Sequence, residues 1–245
     1  MKTKKIFLFS YILLTAFIAK AQNKYLEFGI GARNDFFKII QPESLFKTNF
    51  DIGALIHFSF SKKINEKFIW DVGFATNNYK LNFKIKTIEN IVFVERETVS
   101  IMRSNRLFCN INYIKKINKM LSLSGSLGVS LLVMSKNPYE TSLSRSREFV
   151  TDKGLESINY NIKTFGLTGS AILLNTTYKL LFNLNDDINF ITYAGFITGT
   201  GQISKAEVNY ALNNSQKYNK AIFVTNGFSP FLSFGIQYKL KDKSK

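Results

Sequence analysis

The chain has 245 residues and a formal net charge of +16, which favours one domain of moderate size. The single cysteine, Cys109, excludes an internal disulfide, and the single histidine leaves few catalytic motifs possible. No His-Glu-x-x-His, Cys-x-x-Cys, P-loop or Gly-x-Ser-x-Gly pattern occurs, so we expect no cofactor and no bound metal. The basic residues form no helical stripe, and we therefore expect no nucleic-acid partner.

The start of the chain has the layout of a secretory signal peptide. Lysines precede an apolar run over residues 6–19, and Ala19 and Ala21 offer a small-x-small cleavage site. This run is too short for a spanning helix, which needs about 20 apolar residues. The sequence thus predicts a signal peptide at 1–21 and an exported domain at 22–245. Any membrane span in that domain must be built from strands.

Eight segments of alternating apolar and polar residues predict strands. Alternation with a period of two gives each strand one apolar and one polar face. It is clearest from Met120 onwards, where Leu and Val occupy one face and Ser and Gly the other. In chain order the predicted strands cover 24–33, 48–61, 67–85, 93–114, 119–135, 160–180, 187–203 and 228–240.

The connections between these strands alternate between short and long. The short ones cover 62–66, 115–118 and 183–186, and the longer ones cover 34–47, 86–92, 136–159 and 204–225. Short turns at one end, long loops at the other and an even number of strands are typical of an outer-membrane barrel. We predict an all-β fold: an eight-stranded antiparallel up-and-down transmembrane β-barrel with short periplasmic turns and longer extracellular loops.

The third predicted strand changes its apolar face partway along. Its apolar residues occupy even positions up to Phe74 and odd positions from Tyr79. We interpret the change, near residues 76–78, as a bulge or as the end of the membrane zone.

The chemistry of the two faces agrees with a membrane barrel. The polar faces are rich in Ser, Gly, Asn and Thr, which suit the narrow lumen of eight strands. On this topology and alternation, residues 24–240 resemble the OmpA/OmpX-type small outer-membrane β-barrels. The resemblance implies a monomer in the outer membrane of a Gram-negative bacterium. It also implies outer-membrane lipid, lipopolysaccharide and the outer-membrane assembly machinery as partners.

Two groups of residues are predicted to serve the barrel. Inward-facing charges are expected to pair in a structural network centred on Arg106, because an unpaired charge in a narrow interior is costly. The network is predicted to comprise Glu27, Asp51, His57, Asp71 and Arg106. An aromatic girdle is predicted near the periplasmic end, at the lipid–water boundary. Its members are Tyr25, Phe60, Trp70, Tyr113, Tyr178 and Tyr238.

The expected function is non-enzymatic: an envelope-structural or surface-interaction role through the loops 34–47, 136–159 and 204–225. Other hypotheses for the function stay open. The chain could be an accessory barrel of a secretion or surface-assembly system, a gated conduit, or a soluble periplasmic lipocalin-like binder. It could also modify envelope lipid, since His57 and Ser59 share a strand face and could act as base and nucleophile. That pair resembles the His-x-Ser pair of the lipid A deacylase barrels.

Overall fold

The computed structural model describes residues 24–41, 45–50, 52–86, 93–134, 143–151, 154–167, 169–213 and 215–240. The regular elements within these ranges are all β-strands. No helix in this part of the chain is long and apolar enough to cross a membrane. The predicted signal peptide at 1–21 and the predicted lumen residue Asp51 lie outside the described residues.

The strands are numbered in chain order. They are β1 (Lys24–Arg33), β2 (Lys38–Gln41), β3 (Phe46–Thr48), β4 (Gly53–Lys63), β5 (Phe68–Lys86), β6 (Phe93–Lys116), β7 (Leu121–Met134), β8 (Leu143–Thr151), β9 (Gly154–Gly166), β10 (Ser170–Asn183), β11 (Ile188–Gly199), β12 (Ser204–Leu212), β13 (Asn219–Thr225) and β14 (Ser229–Leu240).

Eight of these strands close into a barrel. Strands β1, β4, β5, β6, β7, β10, β11 and β14 each pair antiparallel with the next, and β14 pairs back with β1. Closure gives every strand two neighbours, so no strand of the ring leaves an unpaired edge. The predicted eight-stranded antiparallel up-and-down barrel is confirmed.

The two surfaces of the barrel wall have opposite chemistry. The inner surface carries buried polar side chains, many of them Ser and Asn. The outer surface carries large apolar side chains that are about half exposed. They include Phe28, Ile30, Ile56, Phe58, Leu107, Ile111, Leu127, Val129, Ile172, Leu174, Phe234 and Ile236. A continuous apolar exterior of this kind is unfavourable in water and matches the hydrocarbon of a bilayer.

Three turns of common construction connect the strands at one end, which we call the turn end. They cover residues 64–67, 117–120 and 184–187. Each has Asn as its second residue, and the side-chain oxygen accepts hydrogen bonds from two backbone amides that follow. Asn65 accepts from Lys67 and Phe68 at 2.9 Å, and Asn118 and Asn185 repeat the arrangement. These bonds satisfy amides that a tight reversal leaves without strand partners.

At the opposite end the long connections fold into a second sheet. Its five strands pair in the order β2, β13, β12, β9 and β8, while β3 pairs with the far end of β5. We call this sheet, together with β3 and the far ends of β5 and β6, the head. The segments expected as loops at 34–47, 136–159 and 204–225 therefore contain strands. The predicted strand 160–180 in fact spans the end of β9 and most of β10.

The head has an apolar core of its own. Phe46, Phe83 and Phe223 pack against one another, with ring centroids 5.4 to 6.2 Å apart. Alternate residues of β9 and β12, such as Ile162 and Val208, complete the core. The barrel wall reaches the same cluster through Leu132, Leu173 and Ile197. Apolar packing thus covers the mouth of the barrel at the head end.

The change of apolar face on β5 marks the passage from barrel to head. Odd residues point inward along the whole strand: Asp71 and Ala75 in the barrel, then Leu81 and Phe83 in the head, all almost fully buried. The odd residues of β5 point inward along the whole strand, but their surroundings change. The barrel has a polar interior, whereas the head has an apolar one. Pairing with β6 slips by one residue just after Tyr79. The register shift confirms the predicted irregularity just beyond residues 76–78, and the end of the membrane zone stays a prediction.

Candidate functional site

A buried ionic cluster lies in the barrel lumen, centred on Lys179 of β10. The Lys179 Nζ is 2.8 Å from Asp71 Oδ2 and 3.0 Å from Glu27 Oε2. All three side chains are at most 8% exposed. A charge at such depth is costly unless it is paired, so the one cation holds two carboxylates that would otherwise repel each other.

Neutral donors complete the cluster. Glu27 accepts hydrogen bonds from Gln237 Nε2 at 2.7 Å, Ser61 Oγ at 2.9 Å and the Tyr193 hydroxyl at 3.3 Å. Asp71 accepts one from Asn112 Nδ2 at 3.0 Å. These donors come from four barrel strands besides those of the charged residues. The cluster therefore ties together opposite walls of the barrel.

The structure corrects the predicted centre of the lumen network. Glu27, His57, Asp71 and Arg106 are all buried, but both carboxylates pair with Lys179 and not with Arg106. Arg106 instead donates to Asn175 Oδ1 at 3.3 Å, and its guanidinium lies 5.7 Å from the centre of the Phe108 ring. Lys179 was not among the predicted network residues, although strand alternation could have identified it: Tyr178 faces outward, so its neighbour Lys179 faces the lumen. The strand runs on to Asn183, so Lys179 lies inside the barrel.

His57 is held within the lumen by three neighbouring strands. Its Nε2 lies 3.1 Å from Ser233 Oγ, and its ring packs edge-on against Tyr193 with centroids 4.7 Å apart. Ser59 shares the inner face, as expected, but its hydroxyl points to Glu27 Oε2 at 3.5 Å. The hydroxyl that His57 contacts is therefore that of Ser233, and both His57 and Ser59 are buried away from the outer surface.

The His57 ring occupies space that only a glycine leaves open. A methyl group on Gly29, its partner across the β1–β4 pair, would overlap the ring. We expect Gly29→Ala to lower the free energy of unfolding by about 1–3 kcal/mol, the usual cost of overpacking. In a His57→Ser background the same change should cost less than about 1 kcal/mol, because the added methyl then has room. Equilibrium urea unfolding of the four proteins in detergent micelles measures the coupling. Equal costs in both backgrounds would contradict the packing described.

Little open space remains inside the barrel. A cavity of about 40 Å³ lies between the Lys179 cluster and the residues around Arg106. This volume holds about three or four water molecules, at roughly 10–15 Å³ each. Nearer the head, Arg33 pairs with Asp35, which also accepts a hydrogen bond from Ser229 Oγ at 2.7 Å. Among the described residues, the lumen is filled by side chains and covered by the head core, which does not favour a conduit.

The predicted aromatic girdle divides between the two faces. Tyr113, Tyr178 and Tyr238 are exposed on the outer surface, and Phe60 and Trp70 lie on the same outer register with ring centroids 5.9 Å apart. Tyr25 departs from the prediction. It follows the register of Glu27 and so belongs to the inner face, because residues two apart on a strand share a face. The alignment of the other five residues with a lipid–water boundary stays a prediction.

The head sheet turns a polar face away from its core. Asn161 and Asn209 lie opposite each other on β9 and β12, and Asn161 donates to Ser144 Oγ on β8 at 2.9 Å. Glu207 on this face pairs with Lys205 and, at 2.7 Å, with Lys220. Partial burial alone would raise the pKa of Glu207, but the two lysines outweigh it and lower that pKa below its ordinary value. The face thus carries amides, a hydroxyl and one carboxylate shared by two lysines, together with the apolar side chains of Ile222 and Phe165.

A closed ring of eight antiparallel strands, polar within and apolar without, defines the class of the small transmembrane β-barrels. No protein-family model matches the chain, and no curated protein matches it.

Solved structures similar to this chain are themselves small outer-membrane barrels. The outer membrane protein OprG from Pseudomonas aeruginosa is 12% identical, with 90% of this chain and 97% of that chain covered and a TM-score of 0.48. Neisserial surface protein A is 11% identical, covering 89% and 97%, with a TM-score of 0.43. The outer membrane protein AlkL, determined in lipid bilayers, is 11% identical, covering 93% and 96%, with a TM-score of 0.42. The fold assignment stands on the strand pairing of the chain itself.

Proposed function

We propose that this protein is a non-enzymatic integral outer-membrane barrel that presents its head as an interaction surface outside the cell. In this arrangement the turn end faces the periplasm, and the outer membrane is that of a Gram-negative bacterium. The observation that carries the proposal is the head itself. Three long connections form one sheet with its own apolar core, and the other face of that sheet offers polar groups to the surroundings.

A folded head favours a binding role over idle loops. Ordering a loop costs roughly 1–2 kcal/mol of backbone entropy per residue, and here the apolar core offsets that cost in advance. A partner then meets groups that are already fixed in place, which is how rigid scaffolds gain affinity. Asn161, Asn209 and Ser144 are held in this way on the outer face.

The alternatives fit the geometry less well. A soluble lipocalin-like binder would need an apolar interior and a polar exterior, the reverse of the surfaces found here. An enzyme acting on envelope lipid would need His57 or Ser59 within reach of the lipid, whereas both are buried inside the barrel. An accessory role in secretion or surface assembly is compatible with the same head and would be one form of the proposed interaction.

Labelling of introduced cysteines in intact cells tests the proposed location and orientation. In a Cys109→Ser background, we expect Ser146→Cys on exposed β8 to react with a membrane-impermeant maleimide from outside. Lys119→Cys in a short turn should react only after the outer membrane is permeabilised. The Cys109→Ser parent controls for background labelling. Labelling of Lys119→Cys alone in intact cells would reverse the orientation and overturn the surface role of the head.

A further inference from the structure

We propose that the turn end binds the headgroups of anionic phospholipids in the leaflet it faces, through lysines set beside an apolar and aromatic rim. This inference rests on the membrane insertion proposed above and adds a lipid-binding surface at the end of the barrel opposite the head.

The first observation is that the turns themselves are apolar on the outside. Ile64, Ile117 and Leu184 open the three turns and are 54% to 65% exposed. Each continues the outer register of the strand before it, so the apolar exterior extends into the turns. The turns therefore sit at the level of the lipid headgroups and do not stand clear of the membrane.

The second observation is an excess of lysine at the same level. The lysines at this end are Lys24, Lys62, Lys63, Lys67, Lys115, Lys116, Lys119 and Lys239. The acidic residues described there are Glu66, Asp186 and Asp187. Lys67, Lys115 and Lys119 are exposed. Among the described residues, this end thus carries eight lysines against three carboxylates, and its net charge is positive.

Aromatic side chains mark the lipid-facing surface beside these lysines. Lys115 shares the outer face of β6 with Tyr113, and Ile114 N donates to Lys67 O at 2.7 Å, so Lys67 at the end of its turn lies beside the strand that carries Lys115. Beside them Phe68 and Tyr113 pack together on the outer surface with ring centroids 5.5 Å apart. A lysine can lay its stem along such a surface and extend its ammonium to the phosphate level.

The charge selects among lipids. A zwitterionic headgroup carries its own cation beside the phosphate, which weakens its attraction to lysine. Phosphatidylglycerol keeps a net negative charge, and each lysine near an anionic surface adds roughly fivefold to binding. The exposed aliphatic residues of the turns favour a lipid over a soluble anion. A lipid has acyl and glycerol regions that these side chains can contact, and a soluble anion has none.

The single tryptophan of the chain reports on this surface. Trp70 pairs with Lys62 across β4 and β5 and packs against Phe60. We would reconstitute the full protein in phosphatidylcholine vesicles and exchange part of the lipid for brominated phosphatidylcholine or brominated phosphatidylglycerol. Bromine quenches indole fluorescence on contact, so the ratio of the two quenching curves gives the preference at the rim.

Because one lipid contacts about one lysine, we expect phosphatidylglycerol to be preferred by about fivefold, and the Lys67→Gln/Lys115→Gln/Lys119→Gln protein to lose most of that preference. The matched control is Lys38→Gln/Lys47→Gln/Lys217→Gln, which removes three positive charges from the head. This protein should keep the preference for phosphatidylglycerol. If the triple turn variant does not fold, as judged by heat-dependent gel migration, Lys115→Gln alone should at least halve the preference.

The outcomes separate the two proposals. Equal quenching by both lipids in the unmodified protein, or a preference that survives in the turn variant, overturns the phospholipid site and leaves the barrel in the membrane. A preference that falls equally in the head control also overturns it, because bulk charge would then suffice. Absence of quenching by either lipid would overturn membrane insertion itself.

Discussion

Replacing Lys179 with Met should lower the free energy of unfolding by about 3–5 kcal/mol, the usual loss when one partner of a buried ion pair is removed. The substitution keeps the length of the side chain but removes its charge. Glu27 and Asp71 would remain buried, with only neutral donors to hold them. Urea unfolding of the refolded protein in detergent micelles measures the loss directly.

Two further proteins make this test specific. Lys115→Met removes a lysine from the exposed outer register and should change stability by less than about 1 kcal/mol. Adding Glu27→Gln and Asp71→Asn to Lys179→Met removes the uncompensated charges and should recover much of the stability. A cost below about 1 kcal/mol for Lys179→Met alone would show that the cluster does not hold the barrel together.

Phe223→Ala should unfold the head while leaving the barrel closed. The ring of Phe223 is fully buried between Phe83 and Phe46, and removing such a ring from a core costs about 3–5 kcal/mol. Since the cavity lies in the head, most of this cost falls on the head sheet. Trypsin should then cut at the lysines and arginines of the head, while the shifted gel migration of the unheated barrel persists.

Phe234→Ala provides the control for this prediction. Phe234 is of equal size but lies on the outer barrel surface, where it is 48% exposed, so its loss should leave trypsin resistance of the head unchanged. If the Phe223→Ala protein resists trypsin as well as the unmodified protein does, the prediction of an independent head core is contradicted. Simultaneous digestion of barrel and head strands would show that they unfold as one unit.

The barrel could be predicted from the sequence because each of its strands has one face in lipid. That environment demands apolar residues at every second position, and β7, with Leu127 and Val129 set against serines, shows the pattern directly. The head was not predicted because the segments that form it are long connections of mixed polar and charged composition, in which alternation is weaker than in the barrel strands. Ala206, Val208 and Tyr210 do alternate with Lys205, Glu207 and Asn209 on β12, and this weaker signal could have been recognised.

The lumen was predicted in kind but not in detail. Strand periodicity predicts whether a side chain lies on the inner or the outer face, and it correctly placed Glu27, Asp71, His57 and Arg106 inside. Periodicity does not predict which charged side chains pair across the lumen, because that depends on barrel closure and on the stagger between strands. Because Lys179 was left out of the predicted network, Arg106 was the only lysine or arginine in it and therefore became its centre.

The origin of the head strands links the head to the closure of the barrel. Its sheet combines β2, β9, β12 and β13, contributed by three separate connections, and β13 leads after three residues into β14, the strand that meets β1. Because β2 follows β1 and β13 precedes β14, the pairing of β2 with β13 spans the junction at which the ring closes. The head sheet thereby adds a second set of backbone hydrogen bonds across that junction.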